Sequence, residues 1–226
     1  MSQRREAPTE GRQTRAELWD ERHAARDPIE SWSADPTLVE EAAGLVPGTA
    51  LDLGAGDGRN AVWLAEHGWQ VTAVDFSSVA IDRGRALAAS VGADVEWRLA
   101  DLLEWAPPAG SFDLVALLFI HLPPTERRPL YARAAAAMAD GGSLLVVGHD
   151  RSNLTAGIGG PQDADVLFTP DEIVRDLPAG FLVRRMAVVR RPGPSPAPID
   201  AVVRAERQDT RASKPARSAS PSPLST

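Results

Sequence analysis

The sequence predicts an α/β fold: a doubly wound, mostly parallel sheet of seven strands with an antiparallel hairpin at one edge. Three observations lead there. Strand-like and helix-like patterns alternate between residues 50 and 148, the order that builds a parallel sheet with helices on both faces. The strand-like runs are nearly continuous in apolar residues, as expected where both sheet faces are covered. After Gly148 the alternation stops, and two β-rich runs follow, joined by a proline-rich turn.

Each element has its own warrant. Thr14-Arg-Ala-Glu17 is a capping box, so a short helix starts there, and a second spans Pro36 to Gly44. Ala50 to Leu53 is a strand that runs into glycines. Gly58 to Glu66 reads as a helix stopped by Gly68, and Gln70 to Val74 as the second strand. Ser77 can cap a helix to about Ala89. Val95 to Leu99 and Phe112 to Phe119 are the third and fourth strands. An Ala-rich helix covers Tyr131 to Ala139, with Pro129 tolerated only in or before its first turn and Gly141-Gly142 as its stop. Ser143 to Gly148 is the fifth strand. A long loop then runs from His149 to about Phe168, and Thr169-Pro-Asp-Glu172 is another capping box with Pro at the first helical position. Leu182 to Arg190 and Ile199 to Glu206 can pair antiparallel at the sheet edge.

The chain has 226 residues, which suits one domain of about residues 14–207 with loose ends. Residues 1–13 are polar without periodicity, and residues 208–226 are rich in Pro and Ser, so both read as disordered. There is no cysteine, which removes disulfides, thiolate metal sites and cysteine nucleophiles. Lys214 is the only lysine, so Schiff-base chemistry is absent from the body of the chain. A net charge of -7 disfavours phosphate backbones as partners. No apolar run approaches a membrane span and the first residues do not resemble a secretory signal, so the expectation is a cytoplasmic protein. Four scattered histidines give no metal-site signal. The oligomeric state is left open.

The strongest signal is Leu51-Asp-Leu-Gly-Ala-Gly-Asp-Gly58, with glycines at 54, 56 and 58 between a strand and a helix. Without a Cβ they allow a tight turn and a close backbone approach to a ligand at a helix N-terminus. A dinucleotide site wants its third glycine three positions after the second. Here Gly58 follows Gly56 by two, and Asn60 comes next. Asp52 lies inside the strand just before the loop, where a pyrophosphate gains nothing and an ammonium group gains a counter-charge. Asp75 ends the second strand, at the crevice of an open α/β sheet, where a carboxylate can accept from ribose hydroxyls. Asp101 ends the third strand and can accept from an adenine amino group, with Phe76 and Leu102 beside the ring.

These residues carry a resemblance. Leu51 to Gly58, with Val74-Asp-Phe-Ser77, resembles the glycine motif and second-strand acidic motif of the class I S-adenosylmethionine-dependent methyltransferases, over about residues 17–207. Trp19-Asp20-Glu-Arg22 and Gly58-Arg-Asn60 resemble the small-molecule branch that includes tellurite-resistance-type methyltransferases. The resemblance implies a Rossmann-like fold with S-adenosyl-L-methionine as cofactor. It implies that Gly54, Gly56 and Gly58 wrap the methionine part, Asp75 holds the ribose, and Asp101 with Leu102 holds the adenine. Trp19 and the first helix would then cover the cofactor.

Methyl transfer from a sulfonium is an in-line displacement that needs alignment above all, and a general base only where the nucleophile must lose a proton. The acceptor is expected to be a small molecule at the ends of strands four and five. Strand four ends in Phe119-Ile-His121-Leu-Pro-Pro, which lacks the Asp/Asn-Pro-Pro-aromatic pattern of base amino-methyltransferases. Phe119 is expected at the cofactor and His121 as a catalytic base near its ordinary pKa of about 6.5. The segment from His149 to Gln162 is the second candidate zone, an acceptor lid with His149 and Asn153 as substrate residues. His23 and His67 read as surface residues. Two other readings stay open: a nicotinamide-dependent oxidoreductase, and a cofactor-binding protein without turnover.

Overall fold

The computed structural model describes residues 14–26, 32–192 and 195–208. The loose ends expected at residues 1–13 and 208–226 lie outside them, except for Gln208, whose N–H donates to the Gly180 carbonyl. In chain order the elements are α1 (Arg15–Ala24), α2 (Pro36–Ala42), β1 (Thr49–Leu53), α3 (Arg59–Glu66), β2 (Gln70–Asp75), α4 (Ser78–Val91), β3 (Val95–Leu99), β4 (Phe112–Leu118), α5 (Pro124–Ala137), β5 (Met138–His149), α6 (Asn153–Ala156), α7 (Pro170–Asp176), β6 (Phe181–Arg190) and β7 (Ile199–Arg207).

The seven strands form one sheet in the order β3-β2-β1-β4-β5-β7-β6. Strands β1 to β5 run parallel, and β7 pairs antiparallel with both β5 and β6. The expected edge hairpin is therefore present, with β7 inserted between β5 and β6. Residues alternate between two buried faces, as the period of two requires. Leu51, Leu53, Val115, Leu117, Leu144 and Val146 pack with Leu130, Tyr131 and Ala134 of α5. Ala50, Leu114, Ala116, Leu145 and Val147 pack with Leu38 of α2 and with Ala61 and Leu64 of α3.

Local chemistry sets the helix starts. Thr14 and Thr169 both close reciprocal capping boxes with Glu17 and Glu172. Ser77 caps α4 by accepting from the Ala80 N–H, and Gly92 ends that helix in the left-handed region.

Two expectations near α5 need correction. The helix begins at Pro124, so Pro129 lies in its interior rather than its first turn. Pro123-Pro124 was the overlooked start signal: Pro124 takes the first helical position, where a missing N–H costs nothing. Gly141 and Gly142 do not stop the helix. Strand β5 has already begun at Met138, and the glycines sit where its register against β4 shifts between Phe112 and Leu114. A Cβ on Gly142 would lie 2.9 Å from the Phe112 carbonyl oxygen, so the offset requires glycine there. The loop after β5 also holds the short helix α6.

Candidate active site

The end of β1 turns through Gly54, Ala55, Gly56 and Asp57 before α3 begins. The N–H groups of Gly54 and Ala55 both donate to the Val74 carbonyl, at 2.8 and 3.0 Å, which folds the turn back onto β2. Asp75 continues the lock: its Oδ2 accepts from Gly56 N–H and its Oδ1 from Ser77 N–H, each at 2.9 Å. Gly54 has φ +73 and lies so close to Ile120 that a Cβ would collide with the Cδ1 of that side chain. Gly56 also has positive φ but faces open space, with only His23 Cε1 at 3.5 Å from where a Cβ would stand. Gly58 is different. It caps α3, and a Cβ on it would run into the Trp97 indole and the Gly84 backbone. What the structure shows of Gly58 is helix-on-strand packing.

Asp52 sits beneath this turn, 1% exposed, with Oδ2 lacking any partner. Burial, with the Asp75 charge adding to it, pushes its carboxyl up to about 7. A buried carboxylate beside a second carboxylate is short of positive charge, and an ammonium group would supply it. Asn60 follows, buried, and its Oδ1 accepts from the Asp35 N–H at 2.9 Å. Its side-chain carbonyl oxygen is therefore a tie between α3 and the start of α2.

Beyond Asp75 a cavity of about 260 Å³ opens, lined by Arg15, Ala16, Phe76, Leu99, Ala100 and Asp101. Asp101 is exposed, and its Oδ1 accepts from Leu103 N–H at 2.8 Å. Leu102 is buried, and its Cδ1 lies 3.6 Å from the place of a Gly54 Cβ. Phe76 and Asp101 thus line the cavity, while Leu102 lies against Gly54 of the glycine turn.

Helix α1 lies over this crevice and is tied down at three points. Arg15 pairs with Glu126 of α5 at 3.1 Å. Asp20 accepts from the Ser77 hydroxyl and from Val79 N–H at the N-terminus of α4, and the serine bond holds its carboxyl below the usual range. His23 Nδ1 bonds Asp57 of the glycine turn. Burial would raise the Asp57 carboxyl, but His23 and Arg26 outweigh it and hold it down. His23 is 4% exposed, so its reading as a surface residue is corrected. Its signal was positional: it falls one helical turn after Trp19, whose ring lies 5.8 Å away. Trp19 itself is half-buried, with Arg22 over its ring.

The ends of β4 and β5 carry the aromatic side of the site. Phe119 has φ +60, the only positive φ outside glycine among the described residues. Its ring lies 5.5 Å from His149, with the Arg191 guanidinium 4.9 Å over it. His121 stacks between His149, at 5.2 Å, and Phe168, at 5.9 Å. His121 Nε2 accepts the backbone N–H of His149 at 3.0 Å. Burial, with His149 beside it, depresses His121 to about 4. The expectation of an ordinary imidazole is therefore corrected: this ring stays neutral and its free nitrogen is already engaged.

His149 is buried, and its Nδ1 lies 3.1 Å from Oδ1 of Asp200, which is fully buried on β7. Asn153 was expected to meet the acceptor, and the structure corrects this. Its Nδ2 donates to the Ile158 and Gly159 carbonyls and its Oδ1 accepts from Ile199 N–H, so the amide is consumed in pinning the loop to β7. Arg151 pins the same loop through the Ala164 and Leu167 carbonyls and Glu172. Asp200 and Arg191 escaped the sequence reading because a single acidic residue in an apolar strand has no local pattern.

Comparisons with known proteins find similarity to methyltransferases. Residues 50–142 match the methyltransferase domain family. The chain is 30% identical to a 2-heptyl-1-hydroxyquinolin-4(1H)-one methyltransferase of Mycobacteroides abscessus, over 62% of this chain and 64% of that protein. Its fold is similar to TehB from Haemophilus influenzae, with TM-score 0.64, 17% identity, and coverage of 77% of this chain and 63% of that one. It is also similar to the N-methyltransferase NodS from Bradyrhizobium japonicum WM9 in complex with S-adenosyl-L-homocysteine, with TM-score 0.65, 17% identity, and coverage of 84% and 97%. The chain spans less than two thirds of the length of the first curated relatives it matches. The fold and the glycine turn are thus similar to those of S-adenosylmethionine-dependent methyltransferases. The match to the methyltransferase domain covers residues 50–142, from β1 to the glycines of β5.

Proposed function

We propose that this protein transfers a methyl group from S-adenosyl-L-methionine to a small-molecule acceptor by direct in-line displacement. The observation that carries the reading is Asp52: a buried, unpartnered carboxylate oxygen beneath a glycine turn, next to Asp75. That site suits the ammonium end of an amino-acid cofactor and repels a pyrophosphate. It therefore counts against the nicotinamide reading.

When bound, the cofactor supplies a sulfonium methyl as the electrophile. The protein's own work is to hold and align it. Gly54 and Gly56 would let the turn approach the methionine part, Asp75 would accept from the ribose, and Phe76, Asp101 and Leu102 would receive the adenine. Helix α1, with Trp19 and His23, roofs the crevice and keeps water from it.

The M. abscessus relative is named for a small hydroxylated heterocycle, and another, a 27-O-demethylrifamycin SV methyltransferase of Amycolatopsis mediterranei, for a natural product. Both support a small-molecule acceptor here, as does the net charge of -7, which disfavours nucleic acid. Among the described residues no helix is long and apolar enough to cross a membrane. Calorimetric titration with S-adenosylmethionine, S-adenosylhomocysteine and NADH tests the cofactor. Heat with the first two and none with NADH is expected, and the reverse pattern sinks the proposal.

A further inference from the structure

Asp200 is fully buried on β7 and is held by two groups. Arg191 Nε stands 2.7 Å from its Oδ2, and His149 Nδ1 stands 3.1 Å from its Oδ1. Neither the His149 Nδ1 nor the Arg191 Nε approach is on the line of a well-aimed hydrogen bond, a looseness common where a catalytic bond tightens only with substrate. A carboxylate at Nδ1 fixes the proton there and leaves Nε2 with its lone pair.

His121 and Arg191, beside His149, are engaged elsewhere. His121 is neutral, with its Nε2 taken by the His149 backbone. Arg191 is spent on Asp200 and on the Phe119 face. Asp150 turns its Oδ1 to the Ser152 N–H and hydroxyl. A Cβ on Gly160 would overlap the imidazole at its Nε2 and Cδ2 edge. Gly159 and Gly160 are exposed with positive φ, so this cover is a turn of two glycines at the surface. On the other side, the Phe119 ring leads within one residue to Ile120, which touches Gly54.

We propose that His149, oriented by Asp200, is the general base of this site, and that the acceptor is consequently a protonated hydroxyl. The proposal rests on the methyltransferase reading above. As the acceptor oxygen bonds to the methyl carbon, the carbon–sulfur bond breaks and its electron pair goes to sulfur. The hydroxyl proton passes to His149 Nε2, and the Asp200 carboxylate balances the imidazolium. Asp200 and Arg191 are positioning residues.

The first test needs no turnover. Nitrogen-15 NMR of histidine-labelled protein saturated with S-adenosylhomocysteine, assigned by difference from His149→Asn, is expected to show His149 protonated on Nδ1 and bare on Nε2. Asp200→Asn is expected to mix the two tautomers. A wild-type His149 protonated on Nε2 overturns the proposal. The second test uses a phenol series from 4-nitrophenol to 4-methoxyphenol, with iodide and benzenethiol as controls. His149→Asn is expected to lose roughly 10²–10⁴-fold in kcat/KM on the least acidic phenols, and less than about tenfold on 4-nitrophenol, which ionises without help. A loss equal across the series, or turnover of the controls with no phenol, overturns it. Turnover of none of the panel, with S-adenosylmethionine still binding, overturns it as well. Failure of S-adenosylmethionine to bind would instead remove the methyltransferase reading. If Asp200→Asn does not fold, the wild-type tautomer and His149→Asn decide.

Discussion

His121 and His149 are joined twice: their rings stack at 5.2 Å, and the backbone N–H of His149 donates to His121 Nε2 at 3.0 Å. The bond ties the loop after β4 to the last residue of β5. Removing it with His121→Ala is expected to cost about 1–2 kcal/mol of stability, read as a lower Tm, while calorimetric affinity for S-adenosylmethionine stays unchanged. His121 is held at about 4 when folded, below its ordinary 6.5. Between those values the unfolded chain binds more protons, so stability contributed here is present above 6.5 and lost as pH falls toward 4. His121→Gln should flatten that part of the stability curve.

Asp52 has the opposite sign. Its folded carboxyl titrates near 7, against 3.8 in the unfolded chain. The folded state therefore holds the extra proton between those values, and the apo protein is expected to lose stability as pH rises from about 4 to 7. An arriving ammonium group lowers the Asp52 pKa, so cofactor binding near pH 6 should release close to one proton. Titrations at pH 6 in buffers of different ionisation enthalpy measure this. Asp52→Asn should abolish the release and weaken binding at least tenfold. Proton uptake by the wild type would contradict the role given to Asp52.

Gly58 and Gly56 should answer differently to alanine. Gly58→Ala meets the Trp97 ring and the Gly84 backbone at φ +79, and a loss of about 2–4 kcal/mol is expected from overpacking and left-handed strain together. Gly56→Ala meets nothing nearer than His23 Cε1 at 3.5 Å. It should cost only about 1–2 kcal/mol in stability and weaken cofactor binding more than it weakens the fold. Denaturation and calorimetry on the same samples separate the two.

Helix α1 is fastened to the glycine turn by the bond from His23 to Asp57. His23→Ala should loosen that roof and weaken S-adenosylmethionine binding about tenfold, the scale of one hydrogen bond to a charged group. Hydrogen exchange of residues 18–24 should rise in the variant. Unchanged exchange with weakened binding would mean that His23 acts on the cofactor directly.

Much of this molecule is written locally. Thr14 with Glu17, Ser77 and Thr169 with Glu172 each announce a helix start through a bond within three residues. The alternation of apolar runs and the offsets of Gly54, Gly56 and Asp75 reveal the sheet and its crevice. What escaped was set by partners distant in sequence. His121 could be read as a base until His149, 28 residues on, proved to occupy its nitrogen. Asn153 looked available until Ile199 claimed its oxygen across 46 residues. His23 looked exposed because the burial that defines it comes from a turn 34 residues away. At Gly142 the local signal was real but ambiguous: a glycine pair suits a helix stop and a strand offset equally.

At position 119 the fold and the site select for different residues. A side chain at φ +60 pays a conformational penalty that glycine escapes. Relieving it with Phe119→Gly would also delete the ring between Arg191 and His149. Selection for thermostability alone should drive this position toward glycine or asparagine, and selection for turnover should restore the aromatic, so that the two pressures are traded against each other at a single codon.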